Sequence, residues 1–146
     1  MVSSQSAGTP IVVTHEGGVR FAAQIRSHRL VVDQTARGGG EDSGPTPLEL
    51  LGASLGTCVA FYVQQFCQAR GFPYEEMRVE VDDRSVKHPS RIRSFTVRVI
   101  LPVELPEPYG AMLERVARSC PAHNSLTYGA EVAVVIETAV LAASIA

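Results

Sequence analysis

The chain has 146 residues, with 13 basic and 15 acidic side chains and a formal net charge of −2. This length fits one domain with a core of ordinary size, and the small net charge argues against nucleic acid or an anionic membrane as a partner. Glu49 and Gln64 bracket the longest apolar stretch, so none reaches the roughly 18 residues of a membrane span. Residues 1–10 lack the pattern of a secretory signal, and we expect a cytoplasmic protein.

The first half of the chain predicts a β meander followed by a long helix. Short β-prone runs lie at residues 11–14, 19–25 and 30–32. Residues 35–47 contain many glycines and prolines and predict a loop, with the glycine run 38–40 as a flexible flap beside a functional site. Pro47 suits the first turn of a helix over residues 48–69, which Gly71 and Pro73 end.

The second half predicts two strands, two helices and a last strand. Apolar and polar residues alternate over 77–82 and 95–101, which indicates amphipathic strands connected near residues 87–90. Pro108 introduces an amphipathic helix over 109–118, and Pro121 begins another, with Cys120 at its N-cap and Gly129 after its end. The run 131–138 predicts a final strand. The expected class is α+β, a single domain over 1–146 with flexible ends at 1–9 and 139–146.

The long helix also predicts the assembly of the protein. Apolar residues occupy most of its helical wheel, so we expect it to be covered on nearly every side. One small sheet does not supply that much cover, and a second copy of the chain is the simplest source. We therefore expect a homodimer.

Three cysteines suggest thiol chemistry. An odd number in a chain expected to be intracellular disfavours a disulfide framework and favours catalytic, redox or buried thiols. Cys58 lies in the apolar helix, where a thiol is usually a packing residue, whereas Cys120 lies beside a helix start, which stabilises a thiolate. This argument alone makes Cys120 the more acidic thiol. Cys67, nine residues after Cys58, lies on the other side of the helix and is interpreted as core.

Two motifs around these thiols together resemble the OsmC/Ohr family of osmotically induced proteins and organic hydroperoxide resistance proteins, in a divergent OsmC-like branch. The likeness extends over roughly residues 18–138. It implies antiparallel sheets wrapped around central helices in an intertwined homodimer, with active sites at the subunit interface. The motifs are Gly44-Pro45-Thr46-Pro47-Leu48-Glu49-Leu50-Leu51-Gly52-Ala53-Ser54-Leu55-Gly56-Thr57-Cys58 and Cys120-Pro121-Ala122-His123-Asn124-Ser125-Leu126.

The resemblance implies a cysteine-based peroxidase, an antioxidant oxidoreductase that reduces organic hydroperoxides in the oxidative stress response. Cys58 would be the peroxidatic nucleophile and Cys120 the resolving thiol. Their disulfide would then be reduced by an external thiol or dithiol. No cofactor is expected.

The two motifs do not determine which charged residues belong to the site. Arg20 matches the family arginine that supports the thiolate, with Arg26 and Arg37 as alternatives. The family's hydroperoxide enzymes place a glutamate directly after the helix-starting proline, but here that position is Leu48 and the acid is Glu49.

The shift by one residue puts the role of Glu49 in question. Glu49 and Cys58 are nine residues apart, on opposite faces of a regular helix. Helix capping is therefore an alternative role for Glu49, and Glu41 or Asp42 could supply the acid from the loop.

His123 follows Cys120 at a spacing compatible with metal ligation, but the other histidines lie in unrelated turns, so we expect no metal. The alternative function is a non-catalytic binding module that holds a small hydrophobic ligand in the dimer cleft.

Overall fold

The structure, a computed structural model, describes residues 8–138. The ends predicted to be flexible, 1–9 and 139–146, lie outside this range except for residues 8 and 9. The order of elements confirms the α+β class with antiparallel sheets. The elements are β1 (Val12–Gly17), β2 (Arg20–Ile25), β3 (His28–Val32), a 3-10 turn (Ala36–Gly38), α1 (Pro47–Arg70), β4 (Arg78–Lys87), β5 (Ser90–Ile100), α2 (Tyr109–Arg118) and α3 (Pro121–Tyr128).

The strands form two separate antiparallel sheets. In the first, the order is β1-β2-β3 and Phe21 of β2 pairs with His15 and Val32. The second is the hairpin of β4 and β5. Its register shifts between Arg84 and Ser85, leaving Arg93 as the extra residue of a bulge.

Helix α1 begins where the sequence predicts because its first turn is capped from both sides. The Thr46 hydroxyl accepts a hydrogen bond from the Glu49 N–H at 3.3 Å, and the Glu49 carboxylate accepts one from the Thr46 N–H at 2.7 Å. This capping box satisfies backbone donors that the helix itself leaves free. The helix ends at Gly71, whose φ of 69° is a left-handed conformation that glycine adopts without strain.

The core lies along one stripe of α1. Leu55, Val59 and Val63 are buried there, and they pack with Leu113 of α2 and with the apolar face of the β4-β5 hairpin. By length and a mean hydropathy of 1.3, α1 could also cross a membrane. Its buried stripe, however, is that of a core helix.

In the single chain α1 keeps exposed apolar side chains, so one chain does not supply the predicted cover on nearly every side. Phe61, on the side away from the buried stripe, is 58% exposed, and Leu48 and Leu51 near the start of the helix are 53% and 38% exposed. The single chain provides cover for one face because its first sheet does not fold back onto the helix. The core cluster takes all its members from α1 and the residues after it, and β1–β3 make their extensive contacts with one another.

The predicted final strand over residues 131–138 is wrong for the single chain. These residues follow α3 without forming a ladder to any described strand. Val132, Val134, Val135 and Ile136 are 80–85% exposed. Branched side chains suit a strand, but a strand also needs a neighbouring edge, which residues 8–138 of this chain do not place beside them.

Two glycines of α1 allow a matched test of its packing. Alanine favours a helix interior over glycine by about 1 kcal/mol. A Cβ on Gly52 would make ordinary contacts with Phe95 and Val81 at 3.7 and 3.8 Å, whereas one on Gly56 would meet Val81 at 2.8 Å. We expect Gly52→Ala to raise the free energy of unfolding in urea and Gly56→Ala to leave it unchanged or lower it. Equal stabilisation by both would contradict the packing of α1 on β4.

Candidate thiol site

The structure brings Cys58 and Cys120 together. Cys58 lies near the middle of α1, half-buried at the edge of the core, and Cys120 is fully buried at the start of α3. The two side chains are neighbours at the edge of the same core cluster, and both thiols are free. Cys67 is also fully buried in the core cluster, as the sequence predicts, and burial raises the pKa of its thiol.

The position of Cys120 is fixed by local sequence. Its backbone is extended, with φ −66° and ψ 143°, and Pro121 starts the helix directly after it. Its Sγ accepts a hydrogen bond from the His123 N–H at 3.3 Å, and its carbonyl accepts one from the Asn124 N–H at 3.0 Å. The thiol is therefore the N-cap of α3, as predicted.

The pKa of the Cys120 thiol is set by opposing effects. Burial is the largest and raises the pKa of the Cys120 thiol, whereas the N–H of His123 lowers it. The neighbouring Cys58 raises it further, and the net shift is upward. Burial thus outweighs the helix N-terminus, which alone predicted an acidic Cys120. The Cys120 thiol keeps its proton at neutral pH.

Arg20 is placed away from the thiols of its own chain. It lies on β2 in the first sheet, where its guanidinium is 3.8 Å from Glu16 and 3.6 Å from Glu41. Its Nε is buried and has no hydrogen-bond partner among residues 8–138. Arg26 lies in the β2-β3 turn and Arg37 in the 3-10 turn, both exposed.

Glu49 lies on the face of α1 opposite the thiols, as the spacing predicts. Its carboxylate belongs to the capping box, and the Thr46 N–H lowers its pKa, with a smaller contribution from the Thr46 hydroxyl. It borders a cleft of about 490 Å³ between α1 and the β4-β5 hairpin. Of the alternative acids, Glu41 faces Arg20, and Asp42 has a φ of 56° in the same loop.

The loop before α1 is organised by Asp33, which sequence reasoning missed. Asp33 is 2% exposed. Its carboxylate accepts hydrogen bonds from the N–H groups of Gln34, Glu41 and Ser43 and from the Ser43 hydroxyl, at 2.7–3.1 Å. An aspartate before a loop rich in serine and glycine often binds backbone N–H groups, and this was the available signal.

Two glycines of this loop lie against neighbouring backbone. A Cβ on Gly40 would collide with the Gln34 carbonyl, and one on Gly44 with the carbonyl of Val31, whereas Gly39 has open space around it. Glycine at positions 40 and 44 therefore allows close backbone approach.

No group of three or more His, Cys, Asp or Glu side chains is placed to hold a metal ion within residues 8–138. The arrangement that can carry chemistry is the pair of free thiols at the junction of two helices. The fold and this site define a class of α+β protein in which two cysteines lie close together without forming a disulfide.

The chain belongs to the OsmC-like protein family, whose sequence profile matches residues 39–135. This range includes α1 and both thiols. No curated protein sequence matches the chain.

Solved structures share its fold. An osmotic stress induced and detoxification response protein from Psychrobacter arcticus has a TM-score of 0.75 at 19% identity, over 84% of this chain and 90% of that one. An OsmC-like protein from Mycoplasma pneumoniae has a TM-score of 0.70 at 16% identity, over 84% and 89%. The organic hydroperoxide resistance protein OhrB of Bacillus subtilis has a TM-score of 0.56 at 17% identity, over 80% and 90%. At these identities the likeness establishes the fold.

Asp33 predicts a pH dependence of stability. Its hydrogen bonds, first those from Ser43, lower its pKa from 3.8 to about 2. Because the folded-state pKa is depressed, the stabilisation is complete above the unfolded value and is lost as the pH falls from about 4 towards 2. We expect Asp33→Asn to be less stable at neutral pH and to lose part of this acid dependence, measured by urea unfolding at several pH values. Asp42→Asn, in the same loop but exposed, is the control and should behave like the parent protein.

Proposed function

We propose that this protein is a thiol-dependent peroxidase that reduces organic hydroperoxides through Cys58 and Cys120. The observation that carries the proposal is the proximity of two free thiols from distant parts of the sequence. Family membership supports it, since solved structures of the same fold include organic hydroperoxide resistance proteins.

The proposed reaction has three steps. The Cys58 thiolate attacks the distal oxygen of the hydroperoxide, the O–O bond breaks, and the alkoxide takes a proton and leaves as an alcohol. The Cys120 thiol then attacks the Cys58 sulfenic acid, which forms the disulfide and releases water. An external thiol or dithiol reduces the disulfide by exchange and returns both cysteines to the thiol state.

The two cysteines are suited to different steps. Cys120 is fully buried and its pKa is raised, so it is a poor first nucleophile but a suitable partner for a sulfenic acid beside it. Cys58 is half-buried and therefore the thiol that a substrate can reach.

We further propose a homodimer in which the first sheet of one chain covers α1 of the other. Three exposed apolar surfaces support this: the exposed apolar side chains of α1, the sheet β1–β3 that lies outside the core cluster, and the unpaired residues 131–138. Each exposes apolar groups that a second copy would bury.

In such a dimer, Arg20 of one chain supports the Cys58 thiolate of the other. A guanidinium close to a thiolate stabilises the charged form. Since Glu41 pairs with Arg20 at 3.6 Å and Glu49 caps α1, Glu41 is the better supported acid of the site. Both charges would then come from the same chain, Arg20 from β2 and Glu41 from the loop before α1.

The catalytic proposal predicts distinct effects for the three cysteines. Cys58→Ser should lower thiol-dependent peroxide consumption by on the order of 1000-fold, because the nucleophile is lost. Cys120→Ser should complete one reduction and then accumulate oxidised Cys58. Cys67→Ser is the matched control and should retain turnover, since Cys67 lies on another face of α1.

Mass spectrometry distinguishes this proposal from the alternative of a hydrophobic-ligand binding module. One equivalent of an organic hydroperoxide should produce a Cys58–Cys120 disulfide in the parent protein. Unmodified thiols after this treatment, or normal turnover by Cys58→Ser, would exclude the peroxidase.

The shared site predicts complementation between two inactive variants. Arg20→Ala and Cys58→Ser should each be weakly active alone. After unfolding and refolding together, about a quarter of the parent activity should return, because half of the randomly formed dimers are mixed and each has one complete site. If Arg20 acted on its own chain, mixing would restore nothing. Sedimentation equilibrium, with a chain mass of 15.7 kDa, checks that dimers form in each preparation.

A further inference from the structure

His123 lies next to the buried thiol and has a ring nitrogen that the fold leaves unused. It is the third residue of α3, and its N–H donates to Cys120 Sγ at 3.3 Å. The Nδ1 of its ring is buried and has no hydrogen-bond partner within residues 8–138. Such atoms are uncommon in folded proteins, and a catalytic role is one of the recognised reasons for keeping them.

The place of His123 in the helix lets its ring turn towards Cys120. In a capping box, the side chain at the third helical position reaches back to the N-cap residue, as Glu49 does towards Thr46 at the start of α1. Cys120 and His123 occupy these same two positions at the start of α3. Rotation about the side-chain bonds of His123 can therefore bring the ring to the thiol while the backbone stays in place.

The Cys120 thiol needs a nearby proton acceptor because it is cut off from solvent. Its side chain is fully buried, and burial raises the pKa of the thiol. The neighbouring polar side chains are already engaged. The Ser119 hydroxyl donates to the Val116 carbonyl at 2.7 Å, and the Asn124 amide donates to the Ser119 carbonyl at 3.3 Å. Neither a hydroxyl nor an amide is a base near neutral pH, whereas an imidazole is.

Charged groups of other elements do not take the place of His123. Two clefts of about 570 and 400 Å³ border it, and four charged side chains line them: Glu114 and Arg118 of α2, and Arg91 and Arg93 of β5. Glu114 and Arg118 pair with each other at 2.6 Å, and all four side chains are exposed. The ionisable neighbour of Cys120 from α1 is Cys58, its partner in the proposed reaction.

On the basis of the proposed peroxidase, we propose that His123 carries the proton of the resolving step. Its ring accepts the proton of the Cys120 thiol as Sγ attacks the sulfur of the Cys58 sulfenic acid. The S–S bond forms, the S–O bond breaks, and the ring gives the proton to the departing hydroxyl, which leaves as water. The ring ends in its starting state, so the step needs no further reactant.

Single-turnover kinetics separate this step from the attack on the peroxide. One equivalent of tert-butyl hydroperoxide is mixed with the protein in the absence of a reductant, and alcohol release and disulfide formation are followed in quenched samples. In His123→Gln, alcohol release should match the parent protein, and disulfide formation should be about 100-fold slower. Glutamine keeps the N–H that caps Cys120. His88→Gln, in the exposed β4-β5 turn, is the matched control and should behave like the parent protein.

The pH dependence distinguishes a proton carrier from a residue that only positions the thiol. Histidine side chains exchange their proton between about pH 5 and 8, so disulfide formation in the parent protein should rise over this range and then level off. In His123→Gln it should continue to rise by about tenfold per pH unit, because the thiolate must form without a base. In His123→Ala, which leaves space beside the two clefts, added imidazole should restore part of the rate.

The outcomes separate the role of His123 from the peroxidase itself. Circular dichroism checks that the variants fold. Equal rates of disulfide formation in the parent protein and His123→Gln would overturn the role of His123 and leave the peroxidase standing. A slower His123→Gln with the pH profile of the parent protein would do the same. A parent protein that releases no alcohol would instead refute the peroxidase and, with it, this role of His123.

Discussion

The packing of α1 against the start of α3 is the interaction on which the rest of the site depends. It buries Cys120 completely and sets it beside Cys58, although the two lie in different halves of the chain. Both partners are held by local structure as well: α1 by its capping box, and Cys120 by Pro121 and the His123 N–H. Because each helix is fixed at its start, the separation of the sulfurs is determined by packing between rigid elements and not by the reach of flexible side chains.

The burial of Cys120 also determines the pKa of its thiol. A thiol at a helix N-terminus is ordinarily made more acidic, yet the pKa of Cys120 is raised because desolvation exceeds the favourable hydrogen bond from His123. Arg20, by contrast, stays near the surface of the first sheet with Glu16 and Glu41. In the proposed dimer, the first sheet of one chain would bring this positive charge to the thiols of the other, which connects the proposed chemistry to the proposed assembly.

Features encoded by local sequence could be predicted, and features that depend on distant contacts could not. The starts of α1 and α3 follow from Pro47 and Pro121 with their capping residues, and the core position of Cys67 follows from helical spacing.

The prediction of a last strand was wrong because a strand requires a neighbouring edge as well as suitable residues. Asp33 was missed because its partners, up to ten residues later, are chosen by the fold of the loop. The pairing of Cys58 with Cys120 came from a resemblance of motifs, since no periodicity links two such distant positions.

The unpaired residues 131–138 have a consequence for the tendency of the chain to aggregate. Their branched, proline-free core is the type of sequence that stacks into fibrils when its backbone is left open. Glu131 and Glu137 bracket it and place like charges at both borders, so that identical segments repel one another in register. The two acids therefore oppose in-register stacking of this segment wherever it is exposed.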